Sequence, residues 1–61
     1  MPAEIRLTDG TTLTDNDPNV QEDDILKKLG GPLGPGGSLA INTADGTYRV
    51  LPAHIVYVRN V

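Results

Sequence analysis

Residues 48–58, with the sequence YRVLPAHIVYV, contain two β-prone runs joined by a short segment around one proline. Proline has no backbone N–H to donate to a ladder and is confined to strand ends and edges, so Pro52 cannot lie inside a central strand. We therefore predict a strand before it, a single tight turn over residues 51–54, and a last strand over residues 55–58.

The residues before this stretch have the pattern of a hairpin. Apolar residues alternate with smaller or polar neighbours over residues 39–43, as in a strand with one buried face. The Asp45-Gly46 pair is typical of a two-residue type I′ turn. An even-numbered loop is also needed to place apolar residues on one face, so we predict that Ile41 lies opposite Val50.

A second hairpin is predicted at the amino terminus, where residues 3–7 alternate between apolar and charged side chains before an Asp-Gly pair. A two-residue loop would place Leu13 opposite Arg6, on the solvent face. A three-residue loop over residues 8–10 places Leu13 opposite Ile5 instead. We predict the three-residue loop, with its glycine in the left-handed conformation that such loops require.

One short helix is predicted between the hairpins. Either Asn19 caps it, with Glu22 three residues later, or Asp17 caps it, with Pro18 at the first helical position. Gly30 follows the last apolar residue and is typical of a carboxy-terminal cap. The residues predicted to be buried on this helix are Ile25, Leu26 and Leu29.

The composition limits the class of protein. A chain of 61 residues forms one domain, and its Gly/Pro-rich segment at residues 30–37 is predicted to be a flexible loop. No cysteine is present, which excludes disulfides and thiolate–zinc sites. We expect a cytoplasmic location and no membrane association, because no charged-then-apolar leader or long apolar run occurs.

The net charge of −3 is unevenly distributed along the chain. Residues 1–24 carry seven acidic side chains and one basic side chain, whereas residues 25–61 carry one acidic and four basic side chains. An acidic chain is a poor candidate for generic duplex binding, which needs several cations against the phosphates. A basic protein partner remains compatible with this charge.

The strand–turn–strand unit of residues 48–58 resembles the ending of small SH3-like and Sm-like β-barrels. A helix before Ser38-Leu39, followed by this ending, also resembles short actinobacterial domains of unknown function. Together with the patterns above, these resemblances predict a β-dominant α+β fold. It has about five mostly antiparallel strands in a curled or small-barrel sheet and one short helix, in the order ββαβββ. A β-grasp roll is the alternative, because a helix after an amino-terminal hairpin also resembles ubiquitin-like chains.

No pattern in the chain predicts a catalytic site, a cofactor or a tightly bound metal. The acidic turn from Asp15 matches the first ligand positions of an EF-hand loop, but Val20 and Leu26 replace the required glycine and glutamate. His54 is the sole histidine, fewer than a zinc site needs. Pro2 resembles the amino-terminal proline base of the tautomerase superfamily, but tautomerase subunits have a long helix, so this enzyme is a remote alternative.

The leading functional hypothesis is a non-enzymatic protein-interaction or assembly module, such as a small regulatory or phage-type accessory protein. Five carboxylates around the helix start form the candidate partner surface: Asp15, Asp17, Glu22, Asp23 and Asp24. Val56 and Val58, assigned to one face of the last strand, are the candidate interface for self-association, because one short helix cannot cover both faces of the sheet. The alternative is a nucleic-acid-associated small β-barrel. It predicts an exposed tyrosine, Tyr48 or Tyr57, beside a continuous basic stripe formed by Arg49, Arg59, Lys27 and Lys28.

Overall fold

The computed structural model describes residues 1–61 and contains five strands and one α-helix. All strand pairs are antiparallel, so the predicted β-dominant α+β class is confirmed. No helix of the protein is both long enough and apolar enough to span a lipid bilayer. The elements are β1 (Ala3–Leu7), β2 (Thr12–Thr14), α1 (Glu22–Leu29), β3 (Leu39–Thr43), β4 (Gly46–Val50) and β5 (Ile55–Asn60), with 3₁₀ turns at Pro35–Gly37 and Pro52–His54.

The strands form two separate ladders, one in the order β2-β1-β5 and one containing β3 and β4. No ladder joins them, although the Asn16 N–H donates to the Asn42 carbonyl at 2.7 Å beside β2 and β3. β1 and β5 are antiparallel. A β-grasp roll needs its first and last strands side by side and parallel, so that alternative is wrong.

The amino-terminal hairpin has the predicted register. Ile5 lies opposite Leu13, and the Leu7 N–H donates to the Thr11 carbonyl at 2.8 Å, which closes a three-residue loop. Gly10 has a φ of +90°, the left-handed conformation that the loop requires. Both apolar residues therefore reach the same core face.

The second hairpin differs from the prediction by two residues. Ile41 lies opposite Tyr48 rather than Val50, and the loop consists of Ala44 and Asp45. No residue other than glycine has a positive φ, so the turn is not type I′. The Thr43 hydroxyl donates to the Asp45 carboxylate at 2.5 Å, a contact that stabilises the earlier turn. A shift of two residues preserves the face of every side chain, so the predicted even loop length is confirmed.

The helix starts later than either predicted cap. Gln21 is the N-cap, and its backbone N–H donates to the Asp24 carboxylate at 2.9 Å, as in the reciprocal half of a capping box. Asp17 instead accepts the Asn19 N–H at 2.9 Å, which forms a separate turn before the helix. Both predicted caps were therefore wrong, because Asp17 caps this separate turn and Asn19 lies within it. Gly30 does occupy the predicted C-cap position.

Only part of the predicted helical stripe is buried. Ile25 is completely buried and Leu29 packs against the core, but Leu26 is 51% exposed. A residue next to Ile25 is rotated by about 100° around the helix axis and cannot share its contacts. The prediction that Leu26 is buried is wrong.

β5 contains an irregularity that the sequence does not reveal. The 3₁₀ turn at Pro52–His54 confirms the predicted tight turn, but the strand continues to Asn60. Arg6 pairs with Tyr57 while Leu7 pairs with Ile55, so Val56 is an extra residue in a β-bulge. The bulge breaks the alternation of side chains along the strand.

The core lies between the two ladders and beneath α1. Its seven buried apolar residues come from both ladders and the helix, and Leu33 of the Gly/Pro segment packs against them. Three isoleucines from three different elements are almost completely inaccessible to solvent. The full set of buried core residues is Ala3, Ile5, Leu13, Ile25, Leu39, Ile41 and Val50.

Candidate protein-interaction site

An open surface cleft of about 520 Å³ separates the β1–β2 hairpin from β4. This volume lies within the usual range for ligand-binding clefts, roughly 300–1,000 Å³. Five of its nine lining residues are apolar, and four polar or charged residues complete it. The apolar lining consists of Leu7, Leu13, Tyr48, Val50 and Leu51, and the remainder consists of Thr8, Asp9, Arg49 and His54.

The free edge of β4 forms one side of the cleft. β3 pairs with only one edge of β4, so the other edge has no strand partner. Tyr48 and Val50 share the inner face of this strand with the core, whereas Arg49 points to the opposite face. Since side chains from both faces line the cleft, it extends along the strand edge.

The apolar lining includes side chains that remain accessible to solvent. Val50 is buried, but Tyr48 is 40% exposed and Leu51 is 47% exposed. Leu51 directly precedes the 3₁₀ turn, whose proline ends the ladder, and its carbonyl accepts the His54 N–H at 2.9 Å. The turn therefore places the Leu51 side chain at the mouth of the cleft, where no core residue covers it.

Tyr48 is oriented by a carboxylate at the hairpin turn. Its hydroxyl donates to the Asp45 carboxylate at 3.1 Å. This hydrogen bond raises the pKa of Tyr48, while hydrogen bonds from Thr43 and Tyr48 lower the pKa of Asp45. The ring is thus directed along β4 with a neutral hydroxyl at physiological pH.

The rim of the cleft carries one carboxylate and one imidazole. The Thr11 N–H donates to the Asp9 carboxylate at 2.8 Å, and this bond lowers the pKa of Asp9. The His54 carbonyl accepts the Thr8 N–H at 2.9 Å, which ties the 3₁₀ turn to the first hairpin. No three His, Cys, Asp or Glu side chains in the protein are grouped closely enough to hold a metal ion. The cleft can therefore contribute apolar contacts, a strand edge and isolated charges.

The predicted acidic surface lies away from the cleft, around the start of α1. Asp15 and Asp17 lie in the connection before the helix, where each accepts a backbone N–H two residues later. The other three carboxylates occupy the first helical turn. None of the five lies within 4.0 Å of a cationic group, since the protein's one ion pair joins Glu4 and Arg59.

The two valines proposed for self-association are separated by the bulge. Val56 is 59% exposed, whereas Val58 lies opposite Ile5 and packs against the core. The assignment of both valines to one open face is wrong, because the extra residue reverses the alternation between them. Of the two valines, only Val56 remains available on the surface of β5.

The cations form two groups rather than one stripe. Arg59 pairs with Glu4 at 2.5 Å and lies 5.8 Å from the ring centroid of exposed Tyr57. Arg49 and Lys28 instead line a depression of about 320 Å³ between the Gly/Pro segment and the start of β3. The stripe expected for a nucleic-acid-binding barrel is therefore absent, although both tyrosines are exposed as that hypothesis requires.

The cleft was missed by reasoning from the sequence. The predicted register placed Val50, not Tyr48, opposite Ile41, and Leu51 was treated only as part of a turn. Two signals were available: Leu51 has no ladder partner because Pro52 follows it, and Tyr48 shares a strand face with Val50 at an even spacing.

No protein-family model, curated protein or solved structure matches the chain. The cleft, the strand edge and the charges around them are therefore the features that bear on function.

Proposed function

We propose that this chain is a non-enzymatic protein-interaction module that binds an extended segment of a partner protein along the free edge of β4. The observation that supports this function is the coincidence of an unpaired strand edge with an apolar cleft of about 520 Å³. Location in the cytoplasm and the absence of catalytic activity stay predictions.

A free edge strand offers a row of unpaired N–H and C=O groups. An extended segment added there gains main-chain hydrogen bonds, while pockets for its alternate side chains provide selectivity. β4 meets both conditions. One of its edges has no strand partner, and Tyr48, Val50 and Leu51 line the cleft next to that edge. In the proposed complex, each partner side chain that faces the cleft therefore contacts apolar residues.

Covering the exposed apolar side chains of the cleft contributes only a modest binding free energy. Burying a leucine side chain completely is worth about 1.5–3 kcal/mol, so covering a half-exposed Leu51 contributes about 1 kcal/mol. Tyr48 contributes a similar amount. Together with the cost of ordering an extended segment, this favours a weak, reversible complex.

Affinity capture with matched variants tests the proposed site. The protein, Leu51→Asp and Val56→Asp would each be immobilised and exposed to lysate of the source cells. Leu51 and Val56 are both exposed apolar residues, but only Leu51 lines the cleft. We expect Leu51→Asp to lose specifically bound proteins and Val56→Asp to retain them. The reverse result would assign binding to β5 and contradict the proposal.

A second candidate function is binding of single-stranded nucleic acid on the outer face of the three-stranded ladder. Exposed Tyr57 lies there, with Arg6 opposite it on β1 and Arg59 beside its ring. An aromatic ring with adjacent cations is the usual arrangement for stacking a base. Glu4 offsets one of the two positive charges. Fluorescence titration with a labelled oligothymidine distinguishes this function, which predicts salt-sensitive binding that Tyr57→Ala abolishes.

Self-association through β5 remains part of the assembly hypothesis. The exposed side chain of Val56 supports it, and Val58 no longer does, because it packs against the core. The interface proposed for a second copy is accordingly confined to the bulged part of β5.

A further inference from the structure

We infer that the segment bound beside β4 carries a basic side chain, lysine or arginine, which lies along the apolar lining of the cleft and pairs with the Asp9 carboxylate at its rim. This inference rests on the proposed function and adds the chemistry of the partner. It follows from the fixed position of Asp9 in the cleft and from the charges around that residue.

Asp9 lies in the loop of the first hairpin, across the cleft from β4. Two backbone hydrogen bonds fix this loop. The Leu7 N–H donates to the Thr11 carbonyl at 2.8 Å and closes the loop, and the Thr8 N–H donates to the His54 carbonyl at 2.9 Å. The second bond ties the loop to the 3₁₀ turn that follows β4, so both sides of the cleft are held together at this end.

The carboxylate of Asp9 is itself oriented. Its Oδ1 atom accepts the Thr11 N–H at 2.8 Å, and hydrogen bonds from Thr11 lower the pKa of Asp9. The group is therefore ionised at neutral pH. An ionised carboxylate can accept about four hydrogen bonds, so it retains the capacity to bind an ammonium or a guanidinium group.

Asp9 has no cationic partner within the protein. It lies more than 4.0 Å from every lysine, arginine and histidine side chain, since the one ion pair joins Glu4 and Arg59. His54 lines the same cleft but does not pair with it. The carboxylate is therefore free to bind a cation supplied by a partner.

The two nearest arginines direct their charges elsewhere. The Arg49 Nη1 atom lies 2.5 Å from the position that a Cβ atom would take at Gly34, in the Gly/Pro segment and away from the cleft. Arg6 approaches the loop at Gly10, where its Nη2 atom lies 3.9 Å from the corresponding Cβ position, but it does not line the cleft. Asp9 is thus the fixed ionised group at the rim.

An apolar cleft with a carboxylate at its rim matches the two parts of a basic side chain. Lysine and arginine bury their aliphatic stems along apolar surface while their charged ends stay in water. Leu7 and half-exposed Leu51 offer such a surface in the cleft that Asp9 lines. An acidic side chain placed there would be repelled by Asp9, and the chain's net charge of −3 also favours the approach of a basic segment.

Three peptide probes of equal length test this inference. Each is a fluorescein-labelled, acetylated nonapeptide that alternates valine with serine, except that the central valine is replaced by lysine, norleucine or glutamate. Norleucine has the stem of lysine without its ammonium group. Fluorescence anisotropy measures the affinity, and amide chemical shifts of the ¹⁵N-labelled protein locate the site. We expect the lysine probe to bind about fivefold more tightly than the glutamate probe, the size of one exposed ion pair.

Two isosteric variants assign the charge preference. Asp9→Asn should weaken the lysine probe about fivefold and leave the norleucine probe unchanged, because an asparagine carbonyl can still accept the Thr11 N–H. Asp23→Asn is the matched comparison. It changes the net charge equally, but Asp23 is exposed on α1, away from the cleft, and we expect it to leave the lysine probe unaffected. Added salt should weaken the lysine probe in the parent protein and not in Asp9→Asn.

The possible results separate this inference from the proposed function. Equal binding of the lysine and glutamate probes at β4 would overturn the basic preference and leave the strand-binding function standing. Failure of every probe to shift β4 resonances would contradict both. A preference for lysine that persists in Asp9→Asn, or that Asp23→Asn removes, would overturn the role of Asp9. An equal loss of the norleucine probe in Asp9→Asn would also overturn it, by showing that the loop shape and not the charge is read.

Discussion

Ile25 is the one residue of α1 that is completely buried, and it belongs to the same core as Ile5 and Ile41 from the two ladders. Its neighbour Leu26 is half exposed, although both residues are aliphatic and equal in size. Ile25 and Leu26 therefore differ in burial but not in side-chain size or atomic composition. The position of a side chain around the helix, rather than its hydrophobicity, sets its contribution to the free energy of unfolding.

Substitution of these neighbours gives the first prediction. Ile25→Ala should lower the free energy of unfolding by about 2–5 kcal/mol, because it removes buried methyl groups and leaves a cavity. Leu26→Ala should change it by less than about 1 kcal/mol. Urea denaturation followed by circular dichroism measures both. Similar losses in the two variants would mean that α1 packs with a different face.

Two glycines with positive φ angles at the hairpins give the second prediction. Gly10 and Gly46 have φ values of +90° and +144°, which L-residues rarely adopt. Alanine at either position should destabilise the protein by about 1 kcal/mol or more. Gly30→Ala is the control, since Gly30 has a φ of −87° and an added Cβ would make only ordinary contacts. Melting temperatures that are unchanged in both Gly10→Ala and Gly46→Ala would contradict the turn assignments.

At the scale of elements, the β3–β4 hairpin depends on a turn network centred on Asp45. The carboxylate accepts hydrogen bonds from the hydroxyls of Thr43 and Tyr48, and both lower its pKa. A carboxyl whose pKa is lower in the folded state stabilises that state above its unfolded pKa. The stabilisation is lost as pH falls through the folded-state value.

The third prediction follows from the direction of this pKa shift. Between neutral pH and about pH 5 the contribution of Asp45 should be constant, and it should disappear progressively below about pH 4. Asp45→Asn should therefore lower the melting temperature at pH 7 but have little effect at pH 2. Thermal melts of both proteins across this range measure the difference. A destabilisation of equal size at pH 7 and pH 2 would show that the charge of Asp45 has no role.

The hairpins also show how far the sequence determines the elements. The alternation of apolar residues predicted the β1–β2 register. Of the two loop lengths compared, only the three-residue loop places Leu13 on the buried face. Parity could not distinguish two registers of β3–β4 that differ by two residues, and the contact between Thr43 and Asp45 favours the one observed. The bulge at Val56 has no glycine or proline to mark it, so alternation along β5 gave the wrong face for Val58.

At the scale of the whole molecule, seven buried apolar residues hold together two ladders that no hydrogen-bonded strand pair connects. A chain of 61 residues buries only about 60% of its unfolded surface, so such a core gives limited stability. The ladders separate beside β4, and the cleft is the result. The sequence marks Leu51 and Tyr48 as candidates for such a site, but the position of the cleft depends on where the two ladders part, which no residue pattern gives.

A marginal core also underlies the fourth prediction, which concerns self-association. Val56 is the most exposed aliphatic residue of β5, and covering it with a second copy removes apolar surface from water. We expect the mass measured by light scattering to increase with protein concentration, and Val56→Asp to abolish the increase. Leu51→Asp is the control and should not alter it. A monomer mass at every concentration would contradict association through β5.

The free edge of β4 is tested most directly by a nuclear magnetic resonance titration of the ¹⁵N-labelled protein with an uncharged, acetylated nonapeptide that alternates valine with serine. Binding along the edge of β4 predicts shifts confined to residues 46–51 and to the cleft side of the first hairpin, residues 7–13. It also predicts that β4 amides which exchange rapidly in the free protein become protected, since the added strand supplies their hydrogen-bond acceptors. Unchanged exchange in β4, or shifts located instead on β5 or α1, would contradict it.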